Sequence, residues 1–190
     1  MMFLILEKGM LLKREQSCLL LIDVQEKLTP HVKEPARLLD RCAWLIRLAT
    51  ELKVPLLVSE QYPKGLGGTI EPLKSLVSHC QCSEKVHFSC FREPSFKKNL
   101  ESVEKKQMVL IGIETHVCVL QTAIDLQEAG YSVFVVVDAV SSRSEIDYKY
   151  GLKRMKQAGI QLITAEMVFF EWVGQAGTAE FKALSKAYLM

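Results

Sequence analysis

Apolar runs of strand length alternate along the chain with stretches in which apolar residues recur every three or four positions. Cys18-Leu-Leu-Leu-Ile-Asp-Val24 is unbroken and carries an acid near its end, the pattern of a strand buried on both faces of a parallel sheet. Pro35 then marks a first helical turn, and Leu38, Leu39, Cys42, Leu45, Ile46, Ala49 and Leu52 follow at helical spacing, which predicts an amphipathic crossover helix. Val54-Pro-Leu-Leu-Val-Ser59 reads as a second strand with its proline at the start, where a strand tolerates one. Residues 60–68 are rich in glycine and proline and follow neither period, so an active-site loop is expected there.

The alternation continues. A short third strand or extended segment is placed at 85–89, a helix at 95–103 and a fourth strand at 107–113. A helix over 115–129 stops at Gly130, a strand over 132–138 follows, a helix over 145–158 stops at Gly159, and a strand over 160–164 leads into C-terminal helices. Such alternation predicts an α/β fold of three layers, doubly wound, with helices on both faces of a six-stranded parallel sheet. If the strand order is 3-2-1-4-5-6, strands one and four are neighbours and the ligand crevice opens between their C-terminal ends. Asp23 and Cys118 come from those two ends.

With 190 residues, 49% hydrophobic and 24% charged, the chain is read as one domain, residues 1–14 forming an N-terminal extension and 15–190 the core. The formal charge of +2 arises from 24 basic and 22 acidic residues spread along the chain, so a nucleic-acid partner is not expected. Lys97-Lys98 and Lys105-Lys106 read as solvated helix surface. The apolar run at 1–6 is ended by Glu7 and Lys8 with no basic region or cleavage site, and charges interrupt every longer apolar run. Neither a signal peptide nor a membrane span is expected. Six cysteines without the spacing of a disulfide framework fit a reducing, cytoplasmic location. Cys80-Gln-Cys82 near His79 and His87 lacks the second knuckle of a tetrahedral zinc site, so no metal and no other cofactor is expected.

In Val109-Leu-Ile-Gly-Ile-Glu-Thr-His-Val-Cys118-Val the apolar run breaks at Gly112 and resumes with helical spacing. This predicts Cys118 in the first turn of a helix, where the helix dipole and unpaired N–H groups lower a thiol's pKa. A carboxylate beside such a thiol serves as general base and later returns the proton to the leaving group, and Asp23 is the first candidate. A nearby lysine would keep that carboxylate ionised; the segment Ser-Glu-Lys85-Val-His-Phe offers one, although composition alone does not single it out. His116 is the rival base, but residues two apart on a helix point to different sides. A Cys–His pair is therefore the second choice.

Leu-Leu-Ile-Asp23-Val-Gln25, Lys85-Val-His-Phe-Ser89 and Gly112-Ile-Glu-Thr-His-Val-Cys118 resemble the three signature segments of the isochorismatase-like cysteine hydrolases. The segments beginning at Ser59 and at Val137 look like the isochorismatase domain-containing branch, which also includes YcaC-like hydrolases. The resemblance implies Asp23 as base, Lys85 as charge-stabilising lysine and Cys118 as nucleophile. It also implies a cis peptide joining Ile113 to Glu114 and an oxyanion hole built from the backbone N–H groups of Glu114 and Cys118. Nicotinamidases of the family carry an Asp-x-His metal site where this chain has Ser59-Glu60-Gln61, and true isochorismatases lack the nucleophilic cysteine. Hydrolysis of a C–N bond in a small amide or carbamoyl compound is what remains, through a thioester that water resolves.

Gln25, Tyr62, Phe88 and Ile113 are the candidate substrate contacts. Gln25 could equally bind backbone in the turn after the strand, and Tyr62, Phe88 and Phe91 could line an apolar pocket, although aromatic residues near strand ends are more often core. Arg143 reads as reaching either the crevice or an acid of another subunit; His31 and His87 have no partner that the sequence names. The apolar stretch 166–173 is a candidate subunit contact, and a homo-oligomer is expected by resemblance. Two other classes fit the same residues: a catalytically idle relative that acts as an interaction scaffold, and a redox-sensing thiol protein.

Overall fold

The structure, a computed structural model, describes residues 10–189. The apolar run at 1–6, and with it most of the expected 1–14 extension, lies outside the described residues. In chain order the elements are β1 (Ser17–Ile22), α1 (Pro35–Glu51), β2 (Leu56–Gln61), α2 (Pro63–Leu66), α3 (Glu71–Val77), β3 (Gln81–Lys85) and α4 (Pro94–Ser102). There follow β4 (Gln107–Ile113), a π-helical turn (Thr115–Val119) running into α5 (Leu120–Glu128), β5 (Ser132–Ser141), α6 (Glu145–Gln157), β6 (Gln161–Ile163), α7 (Ala165–Val173) and α8 (Ala179–Tyr188). All neighbouring strands run parallel, in the order β3-β2-β1-β4-β5-β6 that the alternation predicted.

The central strands explain the continuous apolar runs. Every residue of β1 and β4 is buried, because helices cover both faces of the sheet. Successive side chains of a strand point to opposite faces. Leu19 and Leu21 therefore enter the core shared with α1, α3, α7 and α8, while Cys18, Leu20 and Ile22 enter the one shared with α4, α5 and α6. Ahead of β1, Leu12 is buried and its N–H donates to Glu171 Oε2, which ties this part of the expected extension to α7. No helix among the described residues is long and apolar enough to cross a membrane.

Four departures from the sequence reading bear on the site. The third strand occupies Gln81–Lys85, ahead of the expected 85–89, so Lys85 closes the strand instead of opening it. As an edge strand it pairs with β2 only and is mostly exposed, so it carries no apolar signal. β2 begins after Pro55 and runs on to Gln61, taking the first two residues of the expected loop. What is left of that loop contains the one-turn helix α2. β5 continues to Ser141, and its register against β4 jumps between the pairs Leu110–Val135 and Gly112–Val140. That irregularity brings the end of β5 level with the end of β4.

Candidate active site

Three chain segments meet at the C-terminal edge of the sheet. Asp23 follows β1 directly, with a φ of 52°, a left-handed conformation that aspartate tolerates better than most residues. Lys85 ends β3 and reaches across the end of β2, placing Nζ 2.6 Å from Asp23 Oδ2 and 3.6 Å from Cys118 Sγ. The same Nζ donates to Gln61 Oε1 at 2.6 Å and to the carbonyls of His87 and Phe88 at 3.2 and 3.1 Å. Asp23 Oδ1 accepts from Ser59 Oγ at 2.7 Å. Oδ2 meets the ammonium as an ion pair and has no well-aligned hydrogen bond. The Asp23 and Lys85 side chains are fully buried, and Cys118 is 7% exposed.

The thiol's surroundings reverse one expectation. Cys118 lies in the π-helical turn that precedes α5, not in the first turn of an α-helix, and its thiol is pushed up, not down. Burial is the largest cause and the Asp23 carboxylate the next, while Lys85 pulls the other way. A desolvated sulfur beside a carboxylate holds its proton, so the resting group is a thiol with an acceptor beside it. Burial would lower the Lys85 ammonium, but the Asp23 carboxylate outweighs it and holds the group above the ordinary lysine range. Gly151 of α6 lets the helix pack on the turn: a Cβ there would stand 3.1 Å from the His116 Cα.

The remaining expected residues divide. The peptide joining Ile113 to Glu114 is cis. The Ile113 side chain is wholly buried in the core facing α1. Gln25 is also fully buried, and its amide serves the loop: Nε2 donates to the carbonyls of Gln61 and Gly67, and Oε1 accepts from the Gln61 N–H. Tyr62 and Phe88 are each 54% exposed, beside exposed Val86. Tyr62 and Lys85 help line a cleft of about 310 Å³ with Glu84 and Glu93. The His116 ring nitrogen Nδ1 meets Ser142 Oγ at 3.0 Å, so this histidine is engaged away from the sulfur. Arg143 finds its acid within its own chain, Glu114 Oε2 at 3.0 Å.

Residues 17–167 match the family model for the isochorismatase domain. The chain belongs to the isochorismatase family. Isochorismatase domain-containing protein 2A of Mus musculus is 40% identical over 174 residues, 90% of this chain and 82% of that one. A solved structure described as a MAR1 ribonuclease from Caenorhabditis elegans superposes with a TM-score of 0.88 at 38% identity, covering 95% of this chain and 93% of the other. The YcaC gene product of Escherichia coli, described as an octameric hydrolase of unknown specificity, superposes at 0.84 with 26% identity, over 94% and 96% of the two chains. These relatives place the chain in the isochorismatase domain-containing and YcaC-like branch of the family.

For this member of the family, reading the sequence had passed over Ser59, Gln61, Cys90 and Thr122. Ser59-Glu60-Gln61 stood out as the start of a branch-like segment and as lacking metal ligands, with no role for the side chains themselves. All three side chains are engaged: Ser59 with Asp23, Glu60 Oε1 with the N–H and hydroxyl of Thr69, and Gln61 with Lys85. Cys90 Sγ lies 3.3 Å from Ser59 Oγ, and the Cys90 N–H donates to Thr122 Oγ1. The available signal was a serine closing the apolar run Leu56-Leu-Val58: Leu57, Val58 and Ser59 are buried in succession, and a serine buried in a parallel strand needs a polar partner.

Proposed function

We propose that the chain is a metal-independent cysteine hydrolase cleaving the C–N bond of a small amide or carbamoyl compound. The observation that carries this reading is the buried cluster in which Lys85 Nζ stands 2.6 Å from the Asp23 carboxylate and 3.6 Å from the Cys118 sulfur. Asp23 takes the thiol proton as sulfur attacks the carbonyl carbon, then delivers it to the departing nitrogen. Water, deprotonated by the same carboxylate, attacks the thioester and restores the thiol. Lys85 balances the negative charge that passes between oxygen and sulfur, and the N–H groups of Glu114 and Cys118 receive the carbonyl oxygen as it becomes an oxyanion. A cysteine only 7% exposed favours a small substrate over a polymer, so the ribonuclease named for the nematode structure is not carried over. A thiol raised by burial also argues against a redox sensor, whose cysteine has a low pKa and is accessible. Assembly as a homo-oligomer, which the octamer described for the E. coli protein supports, belongs to the same proposal.

Peptide-resolved mass spectrometry after brief iodoacetamide treatment at pH 7 tests the reading. Cys118 should be modified ahead of the other five cysteines. All six thiols are free, and Cys118 is the one whose sulfur has both a lysine ammonium at 3.6 Å and the Asp23 carboxylate held by that ammonium. Asp23→Asn should slow modification of Cys118 by about a hundredfold or more, the usual share of a general base. Incubation with a panel of amides and carbamates should leave an acyl mass on Cys118 and none on Cys118→Ala. Indifference of Cys118 labelling to Asp23, or RNA cleavage that survives Cys118→Ala, would remove the proposal.

A further inference from the structure

We infer that Ser59, itself held by Cys90, is a positioning residue that fixes the Asp23 carboxylate with one oxygen turned toward Lys85 and the Cys118 thiol; the inference rests on the reading of Asp23 as base. Ser59 is 1% exposed at the end of β2, and its hydroxyl donates to Asp23 Oδ1 at 2.7 Å. A serine hydroxyl has a single proton, so its direction depends on what the oxygen accepts. Here the oxygen accepts from Cys90 Sγ at 3.3 Å, and Cys90 is set in place by the bond from its N–H to Thr122 Oγ1 at 2.9 Å. Burial, and next the Asp23 charge, push the Cys90 thiol up to about 11, so at neutral pH it remains an S–H donor. The chain of bonds therefore runs one way, from Cys90 to Ser59 to Asp23 Oδ1. Oδ2 is left for the ion pair and for the proton that Cys118 gives up. Without the hydroxyl the carboxylate is free to rotate about its last bond, and the acceptor turned to sulfur is no longer fixed.

The titratable groups packed against Asp23 are Lys85 from β3, Cys90 from the turn after it and Cys118 from the π-helical turn, while Cys82 on the exposed face of β3 feels its charge at longer range. Ser59→Ala changes none of their charges. The experiment is the pH dependence of Cys118 alkylation by iodoacetamide, resolved by peptide, in wild type, Ser59→Ala, Ser59→Thr, Cys90→Ala and Asp23→Asn, with thermal unfolding of each. A carboxylate that loses a donor holds its proton more tightly, so Ser59→Ala should move the acid limb of the profile to higher pH, by about one unit. Ser59→Thr should restore the limb, and Cys90→Ala should give a smaller shift of the same sign. A lowered melting temperature with the limb unmoved in both Ser59→Ala and Cys90→Ala would make the pair mere packing and overturn the inference. If Asp23→Asn itself keeps the wild-type profile, the reading of Asp23 as base is what fails. If Asp23→Asn abolishes the limb while Ser59→Ala leaves it in place, only the present inference fails.

Discussion

Lys85→Met is expected to destabilise the protein by about 3 to 5 kcal/mol, because it strands a buried carboxylate without its cation. Both side chains of the pair are fully buried, and the ammonium also joins Gln61 to the carbonyls of His87 and Phe88. Urea unfolding should report the loss, and the melting temperature should fall by about 10 °C for a chain of this size. Asp23→Asn/Lys85→Met replaces the pair by neutral groups of similar shape and should regain about half of it or more. A double variant no more stable than the two single losses added together would show that the two residues do not interact. The pH dependence has a definite sign. The folded state holds the Lys85 proton more tightly than the ordinary value of 10.5, so the pair's contribution is complete below that pH and fades as pH climbs through the raised folded value. On the alkaline side, wild type and Lys85→Met should therefore converge in stability as the Lys85 ammonium loses its proton.

The legibility of this chain follows burial. β1 and β4 are covered on both faces and read as unbroken apolar runs, and the pauses at Gly130 and Gly159 marked helix ends correctly because both glycines take a positive φ. Those strands, with the crossover rule, were enough to carry Asp23 and Cys118 to one edge of the sheet. β3 was displaced in the reading because an exposed edge strand has no reason to be apolar. Lys85 could not be chosen from composition for a related reason: a lysine fully buried against a carboxylate looks, in sequence, like any surface lysine. The direction of the Cys118 shift was misread because the helix dipole was visible from local spacing, whereas burial and the carboxylate come from segments far away in sequence. Ser59 and Cys90 were passed over for the same cause, since their partners lie 36 and 31 positions away.

Gly112→Ala should be the most damaging single methyl that can be added near the site. Gly112 pairs with Ile22 across β1 and β4 and has a φ of 115°. A Cβ there would overlap the Ile22 carbonyl oxygen and stand 2.8 Å from its nitrogen and 2.9 Å from its carbonyl carbon. These are backbone atoms of a central strand and cannot swing aside as a side chain would, so the two strands must part. Asp23 follows Ile22 and the Ile113-Glu114 peptide follows Gly112, so parting them also separates Asp23 from the turn that carries Cys118. Losses above about 4 kcal/mol are exceptional and arise from mechanisms of this kind; Gly112→Ala should exceed that and accumulate little folded protein. Gly130→Ala supplies the comparison, because its φ is 90° but nothing lies within 4 Å of the added carbon. It should lose only the strain of a left-handed alanine, about 1 to 2 kcal/mol. If urea unfolding finds the two variants equally stable, the close approach of β4 to β1 is not what Gly112 provides. If Gly112→Ala alone collapses, the close approach of β4 to the Ile22 backbone is what holds Asp23 and the Cys118 turn together.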